Sequence, residues 1–213
     1  MESTLSRLKN VSVGEFRGSR YVVPQTVSFD LKGSSRTWDM IKSMGSVAIV
    51  LYHKDLDAAV LVRQFRPPVW AHAASLEGGS GINDEDEEQD LAAGFNYELC
   101  AGLIDKKDLS AKEIAKEEIL EECGYDVELE AIEKVTTYVH AAAHLGSREQ
   151  IFYAQVDESM RKNEGGGLSE DGESIEVFAL PLDECERFIM DPTYPKSAAA
   201  IIGLQWLLKK QKV

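Results

Sequence analysis

Five glutamates, Glu113, Glu117, Glu118, Glu121 and Glu122, crowd into residues 113–122. Like charges four apart on a helix destabilise it by roughly 0.2–0.5 kcal/mol per pair, so a cation is expected to offset them. A hard divalent ion is the simplest candidate, because it takes carboxylate oxygens and bridges to substrate phosphates. Ser110 and Glu113 form an S-x-x-E capping box, which starts the helix at Ala111, and Gly124 stops it. At about 100° per residue, Ala111, Ile114, Ala115, Ile119 and Cys123 span an apolar arc of roughly 180°. Glu118 and Glu122 fall inside that arc, at roughly 40° and 80° from Ile114, while the other three glutamates fall outside it. A buried carboxylate needs a partner. Spacing alone leaves two readings open: a metal site, or a partly buried salt-bridge network with Lys112 or Lys116 folding back.

Other residues with chemical potential carry less. Cys100, Cys123 and Cys185 are widely spaced with no CxxC pair, which suggests neither a zinc knuckle nor a disulfide framework. His140 and His144 stand in HAAAH with no acidic neighbour in sequence, so a loop or helix end is expected there. The formal net charge of −14 argues against nucleic acid or an anionic membrane as the main partner. It leaves room for a small phosphorylated substrate, since a metal ion and a few arginines can invert the local field. No apolar run reaches the ~20 residues of a membrane span, and MESTLSRLKN lacks the apolar core of a signal peptide. A cytoplasmic location is the expectation.

The elements that must position these residues alternate. Short strands are expected around Tyr21–Val23 and Val27–Leu31, broken at Pro24. SVAIVLY (46–52) and AAVLVRQF (58–65) read as buried strands joined by a turn. The stretch 71–95 is Gly-rich and then acidic, and reads as a long mobile surface insertion. NYELC (96–100) is a strand leading to the glutamate helix. Further strands are expected at 135–139, 150–156 and 175–180. Helices follow from Pro181 to about Met190 and over 196–210. The chain therefore reads as an α/β (α+β) layered domain in which a mixed sheet lies between helices. A strand region at 1–42 precedes a main domain at 43–213.

The glutamate segment resembles the Nudix box, G-x5-E-x7-R-E-U-x-E-E-x-G-U, with U bulky and apolar. Residues 118–125 stand as E-U-x-E-E-x-G-U. The left half departs from the pattern: Gly102 to Glu118 is one residue longer, Asp108 replaces the early glutamate or that glutamate is absent, and Glu117 holds the arginine position beside Lys116. VLVRQFRPPV, ELCAG, GSREQIFYAQV and the GGGLSEDGESIEV loop are similar to the Nudix branch that cleaves nucleoside-diphosphate sugars and ADP-ribose, the UDP-sugar diphosphatases in particular.

That resemblance implies a Nudix fold and Mg²⁺-dependent hydrolysis of a nucleotide-sugar diphosphate, with Mn²⁺ as an alternative ion. It implies metal binding by Glu118, Glu122 and the Ala101 carbonyl, with Glu121 ligating or orienting. Glu173 is the expected catalytic loop acid, followed by Asp171 and Glu170. Arg63 and Arg66 are the candidates to meet the diphosphate. They face opposite sides of a strand, and Arg66 is preferred. Glu98 is a candidate sugar or metal-shell contact, and Trp38, Tyr21 and Phe29 are candidates to stack on the base. In the family the N-terminal strands swap across a homodimer. Glycines 165–167 are expected to let the loop close over substrate. The rival readings are ADP-ribose or another nucleotide as substrate, a weakly active Nudix-fold binding module, and an acidic helix that is only scaffold.

Overall fold

The computed structural model describes residues 8–76, 90–168, 170 and 172–212. Two strands, β1 (Val23–Leu31) and β2 (Ser34–Lys42), form an antiparallel ribbon of their own. It closes on Lys32 and Gly33, both at positive φ, the backbone a two-residue hairpin turn requires. Pro24 does not break β1 as expected, because among the described residues β1 pairs with β2 alone and has a free edge, where a missing N–H is tolerated.

The main sheet is built around β3 (Ser46–His53). It runs parallel to β8 (Arg148–Val156) and antiparallel to both β4 (Ala58–Phe65) and β6 (Cys100–Leu103). β4 also pairs with β5 (Phe95–Glu98) and β9 (Ile175–Pro181), and β7 (Glu133–Val139) closes the far side against β8. Two strands thus occupy 95–103, where the sequence suggested one.

The pleat of β3 divides two cores. Val47, Ile49 and Leu51 meet α2 (Ala111–Cys123) on one face. Ala48 and Val50 meet α3 (Cys185–Met190) and α4 (Ala198–Lys210) on the other. The expected mixed sheet between helices is observed. The sequence pattern already required this layering, since the β3 run is apolar on both faces. In α2, Ile114 and Ile119 are fully enclosed, each contributing about 1.5–3 kcal/mol of burial. Those two contacts anchor the glutamate helix to the sheet.

The segment expected to be a loop from 71 onward begins inside a helix. α1 (Pro67–Leu76) follows β4 directly, with Trp70 buried, and a 3-10 turn (Leu91–Gly94) leads into β5. The two prolines at the start of α1 fit a helix N-terminus, where the missing N–H groups have no intrahelical partner. Most of the acidic stretch lies outside the described residues.

Candidate active site

Helix α2 begins and ends as its sequence dictates. Ser110 and Glu113 complete the reciprocal capping box, and Gly124 caps the C-terminus at φ 80°. Glu122 is 4% exposed and points at β6, where its Oε2 accepts the Ala101 N–H at 2.9 Å. Glu118 lies one turn earlier and packs on Gly102. A Cβ there would stand 1.8 Å from Glu118 Oε1, so the carboxylate occupies the space that any larger residue at 102 would take. Glu117 turns away and pairs with Lys106 at 2.5 Å.

Neither Glu118 nor Glu122 has an ion-pair partner among the described residues. Lys116 goes to Asp126 instead, at 3.8 Å, so it neither neutralises the pair nor replaces an arginine at position 117. Burial first, then Glu121 and Glu173, push Glu118 up to about 7. Burial likewise pushes Glu122 up to about 8, against the Ala101 N–H and with Glu118 and Glu173 adding repulsion.

The loop between β8 and β9 is clamped to the end of this helix. Gly166 N–H donates to the Glu122 carbonyl and Gly167 N–H to that of Glu121, at 2.8 and 3.1 Å. A Cβ on Gly165 would meet the Glu122 carbonyl oxygen at 2.3 Å. Of the three glycines expected to let the loop close, Gly165 is the one that backbone approach requires; a Cβ on Gly166 would have room, and one on Gly167 would meet the Glu173 side chain. Glu173 closes the loop tip, its Oε2 accepting the Leu168 N–H at 2.9 Å. Glu170 is exposed, and Asp171 lies outside the described residues.

The two arginines separate as strand alternation requires. Arg66 holds Glu98 through Nε and Nη2 at 2.8 and 2.6 Å, and Asn96 adds a bond to Glu98 Oε1 at 2.9 Å. Glu122 and Glu173 both act on the Arg66 charge. Arg63 lies away from the glutamates, paired with Glu176 at 2.8 Å and over the Phe95 ring at 4.2 Å. There it borders a separate cavity of about 490 Å³ with Tyr97, Phe178, Phe188 and Tyr194. Of the two diphosphate candidates, Arg63 is the one the pleat points to the other side of the sheet from the glutamates. Tyr21, Phe29 and Trp38 sit on or beside the ribbon, 50%, 40% and 55% exposed. Trp38 is tied down by its Nε1–H, which donates to the Ala143 carbonyl at 2.7 Å.

Sequence reasoning missed Lys106, Asn96 and the pairing of Arg66 with Glu98. Lys106 had a faint signal: Glu117 has no basic residue three or four positions away on its own helix, so its partner had to come from elsewhere. HAAAH, read as a loop or helix end, is a turn that receives the ribbon. His144 O accepts the Ile41 N–H, and His140 Nδ1 stands 3.7 Å from Glu149.

The donor set fits a hard divalent ion. Two carboxylates share a half-dry surface with no ion-pair partner among the described residues, and the positive charge they lack at contact is what such an ion supplies. Among the described residues no three His, Cys, Asp or Glu side chains converge into a closed cage. Mg²⁺ does not need one, because it keeps several waters and binds through one or two carboxylates.

The layered sheet, the capped glutamate helix and the glycine that admits Glu118 are those of a Nudix hydrolase. The chain belongs to the Nudix hydrolase family. It is 39% identical over 210 residues to uridine diphosphate glucose pyrophosphatase NUDT14 of Bos taurus, covering 95% of both chains. The protein of that name from Mus musculus is 35% identical over 214 residues, covering 97% of this chain and 96% of its own. GDP-mannose pyrophosphatase of Pectobacterium atrosepticum is 33% identical over 143 residues, 67% of this chain and 62% of that protein. No protein-family model matches the chain. A crystal structure of an ADP compounds hydrolase shares the fold, with TM-score 0.64 and 19% identity over 94% of this chain and 92% of that one.

Proposed function

We propose that this chain hydrolyses the diphosphate of nucleoside-diphosphate sugars, UDP-glucose first among them, to a nucleoside monophosphate and a sugar 1-phosphate. The observation that carries the reading is the pair of half-buried Glu118 and buried Glu122, without an ion-pair partner among the described residues, set against Gly102 and near Arg66 and Glu173. The length-wise likeness to uridine diphosphate glucose pyrophosphatases supports the substrate class. Glu118, Glu122 and the Ala101 carbonyl would hold Mg²⁺, or Mn²⁺ in its place, with Glu121 beside them. When bound, the ion supplies charge neutralisation for the diphosphate and acidifies water.

The chain's own groups do the rest. Arg66, its plane set by Glu98, offers a fork-shaped donor to phosphate oxygens. Glu173 accepts a proton from the attacking water. The water oxygen forms a new bond to one phosphorus as the bridging P–O bond breaks, and the departing phosphate leaves as a monoester.

Residues 1–42 form the dimerisation and substrate region, and 43–213 the hydrolase domain. The apolar face of the ribbon meets a second copy and lends Tyr21, Phe29 and Trp38 to the base. No helix among the described residues is long and apolar enough to cross a membrane, and a cytoplasmic enzyme is the setting proposed.

The deciding experiment compares UDP-glucose with ADP-ribose, with and without Mg²⁺, and identifies products. UMP plus glucose 1-phosphate, dependent on Mg²⁺, is expected. AMP plus ribose 5-phosphate as the faster outcome reassigns the substrate. Nucleotide binding without turnover would make the chain a binding module. In the same assay Glu122→Gln is expected to lower turnover at least about 100-fold, the upper range for disturbing even the outer partners of a metal site.

A further inference from the structure

The register of β4 against β5 gathers a polar quartet. Val62 stands opposite Glu98, and Gln64 opposite Asn96. The ladder runs one step past β4, where the Arg66 N–H donates to the Gly94 carbonyl at 2.8 Å. Side chains two apart on a strand share a face. Gln64, Arg66, Asn96 and Glu98 therefore lie on the side of Val62, which packs in the core under α2. Arg63 and Tyr97, also opposite each other, take the other side.

Glu98 is the hub of the quartet. It is 8% exposed, and a carboxylate this buried needs its acceptor sites filled. Oε1 accepts from Arg66 Nε at 2.8 Å and from Asn96 Nδ2 at 2.9 Å. Oε2 accepts from Arg66 Nη2 at 2.6 Å and, more weakly, from Gln64 Nε2 at 3.4 Å. These bonds use the roughly four acceptor sites a carboxylate has. In return Glu98 takes one edge of the guanidinium, Nε and Nη2. A phosphate then has to be met by Nη1 and the second hydrogen of Nη2. Where those donors point follows from the plane of the Glu98 carboxylate. Among the described residues, Asn96 makes the shortest bond to that carboxylate apart from the arginine's own.

We propose that Asn96 is a positioning residue for the phosphate-binding arginine: acting through Glu98, it fixes the direction in which Arg66 presents its remaining donors to the diphosphate. This rests on the hydrolase reading above. It gives Glu98 the role of a bracket for Arg66, with no acceptor site left for a metal ion or a sugar hydroxyl. It makes Asn96 matter to the substrate and not to the divalent ion.

The test is a double-mutant cycle. Asn96→Leu keeps the size of the side chain and removes the donor. It is compared with the wild type, Arg66→Ala and the double variant. For each, kcat and KM on UDP-glucose are measured at saturating Mg²⁺, together with the Mg²⁺ concentration at half-maximal rate. Asn96→Leu is expected to lower kcat/KM about 10-fold, the scale of one hydrogen bond to a charged group. The loss falls mostly on KM, and the Mg²⁺ half-point stays where it was. In the Arg66→Ala background the same substitution is expected to change kcat/KM less than about 2-fold, because no guanidinium is left to direct. Asn96→Ser, too short to reach Glu98, replaces Asn96→Leu with the same expectations if the leucine variant does not fold. Wild-type kcat/KM in the Asn96 variant, equal losses in the two backgrounds, or a shifted Mg²⁺ half-point overturns the inference. A wild-type chain that turns over no nucleotide sugar overturns the hydrolase reading, and the same four proteins are then compared for affinity toward inorganic pyrophosphate. A loss in the Asn96 variant that vanishes in the Arg66→Ala background keeps the inference, and any other pattern overturns it as well.

Discussion

Glu118 and Glu122 are the residues on which the proposed site rests, and their energetics are legible without a ligand. Each holds its proton far more tightly in the folded chain than the ordinary carboxylate value of 4.5, up to about 7 and about 8. A group whose pKa rises on folding favours the native state at low pH. That contribution is complete below about 4.5 and is lost as pH climbs through 7 to 8. The metal-free protein is therefore expected to melt at progressively lower temperature between pH 5 and pH 8. Mg²⁺ reverses the loss, because a ligand of the native state stabilises it and binds only the deprotonated acids. Calorimetric melting in EDTA and in Mg²⁺ checks this: the Mg²⁺-induced gain at pH 8 should exceed that at pH 6. Equal gains would detach the ion from this pair.

Between residues and fold stand the strand pleat and the loop stem. The pleat of β4, with Arg66 the residue directly after it, sends Arg66 toward the glutamates and Arg63 over Phe95 and Tyr97. Glycines 165–167 lie against the last turn of α2, so the loop that bears Glu173 and the helix that bears Glu122 form one unit. Gly165 has φ +69° and its Cβ would overlap the Glu122 carbonyl. Gly165→Ala should cost more than the ~1–2 kcal/mol of left-handed backbone alone, and should lower turnover by displacing Glu122. Gly146, at φ +67°, has open space around it, and Gly146→Ala is the control. Its melting temperature should fall by the backbone strain only, with turnover intact. Equal activity losses in the two variants would separate the stem from the chemistry.

For the molecule as a whole, the ribbon is the unresolved contact surface. β1 and β2 put Val23, Val27, Phe29, Leu31 and Trp38 on one face, and all five are 39–55% exposed. A two-stranded ribbon is marginal in water unless something covers it, and a contiguous apolar face of this kind marks an interface. The proposed dimer would supply that cover. Trp38→Ser should weaken a dimer by about 2 kcal/mol or more, roughly thirtyfold in Kd, as read by sedimentation equilibrium. A wild-type chain that is monomeric at micromolar concentration removes the dimer from the proposal. Against the net charge of −14, the proposed reaction needs Arg66 and a divalent ion as the local exceptions that would admit an anionic substrate.

Much of the candidate site's local geometry was legible in the sequence. Helical periodicity alone separated Glu118 and Glu122 from their three neighbours, because a 100° step places each residue on a face whatever the fold around it. The capping box, the stop at Gly124, the two-faced apolar β3 and the opposed directions of Arg63 and Arg66 likewise follow from local geometry. Contacts between segments far apart in sequence were not legible. The embrace of α2 by glycines 165–167 depends on backbone approach, the Arg66–Glu98 fork spans two strands, and Lys106 reaches Glu117 across a loop. Pro24 was misjudged for the same reason: whether a proline breaks a strand depends on which edge is paired, and the strand's own residues do not record that. Short-range order, set by each residue's backbone and spacing, was written in the chain. Which charges meet and which glycines are indispensable was settled by packing, because those interactions exist only once distant segments are brought together.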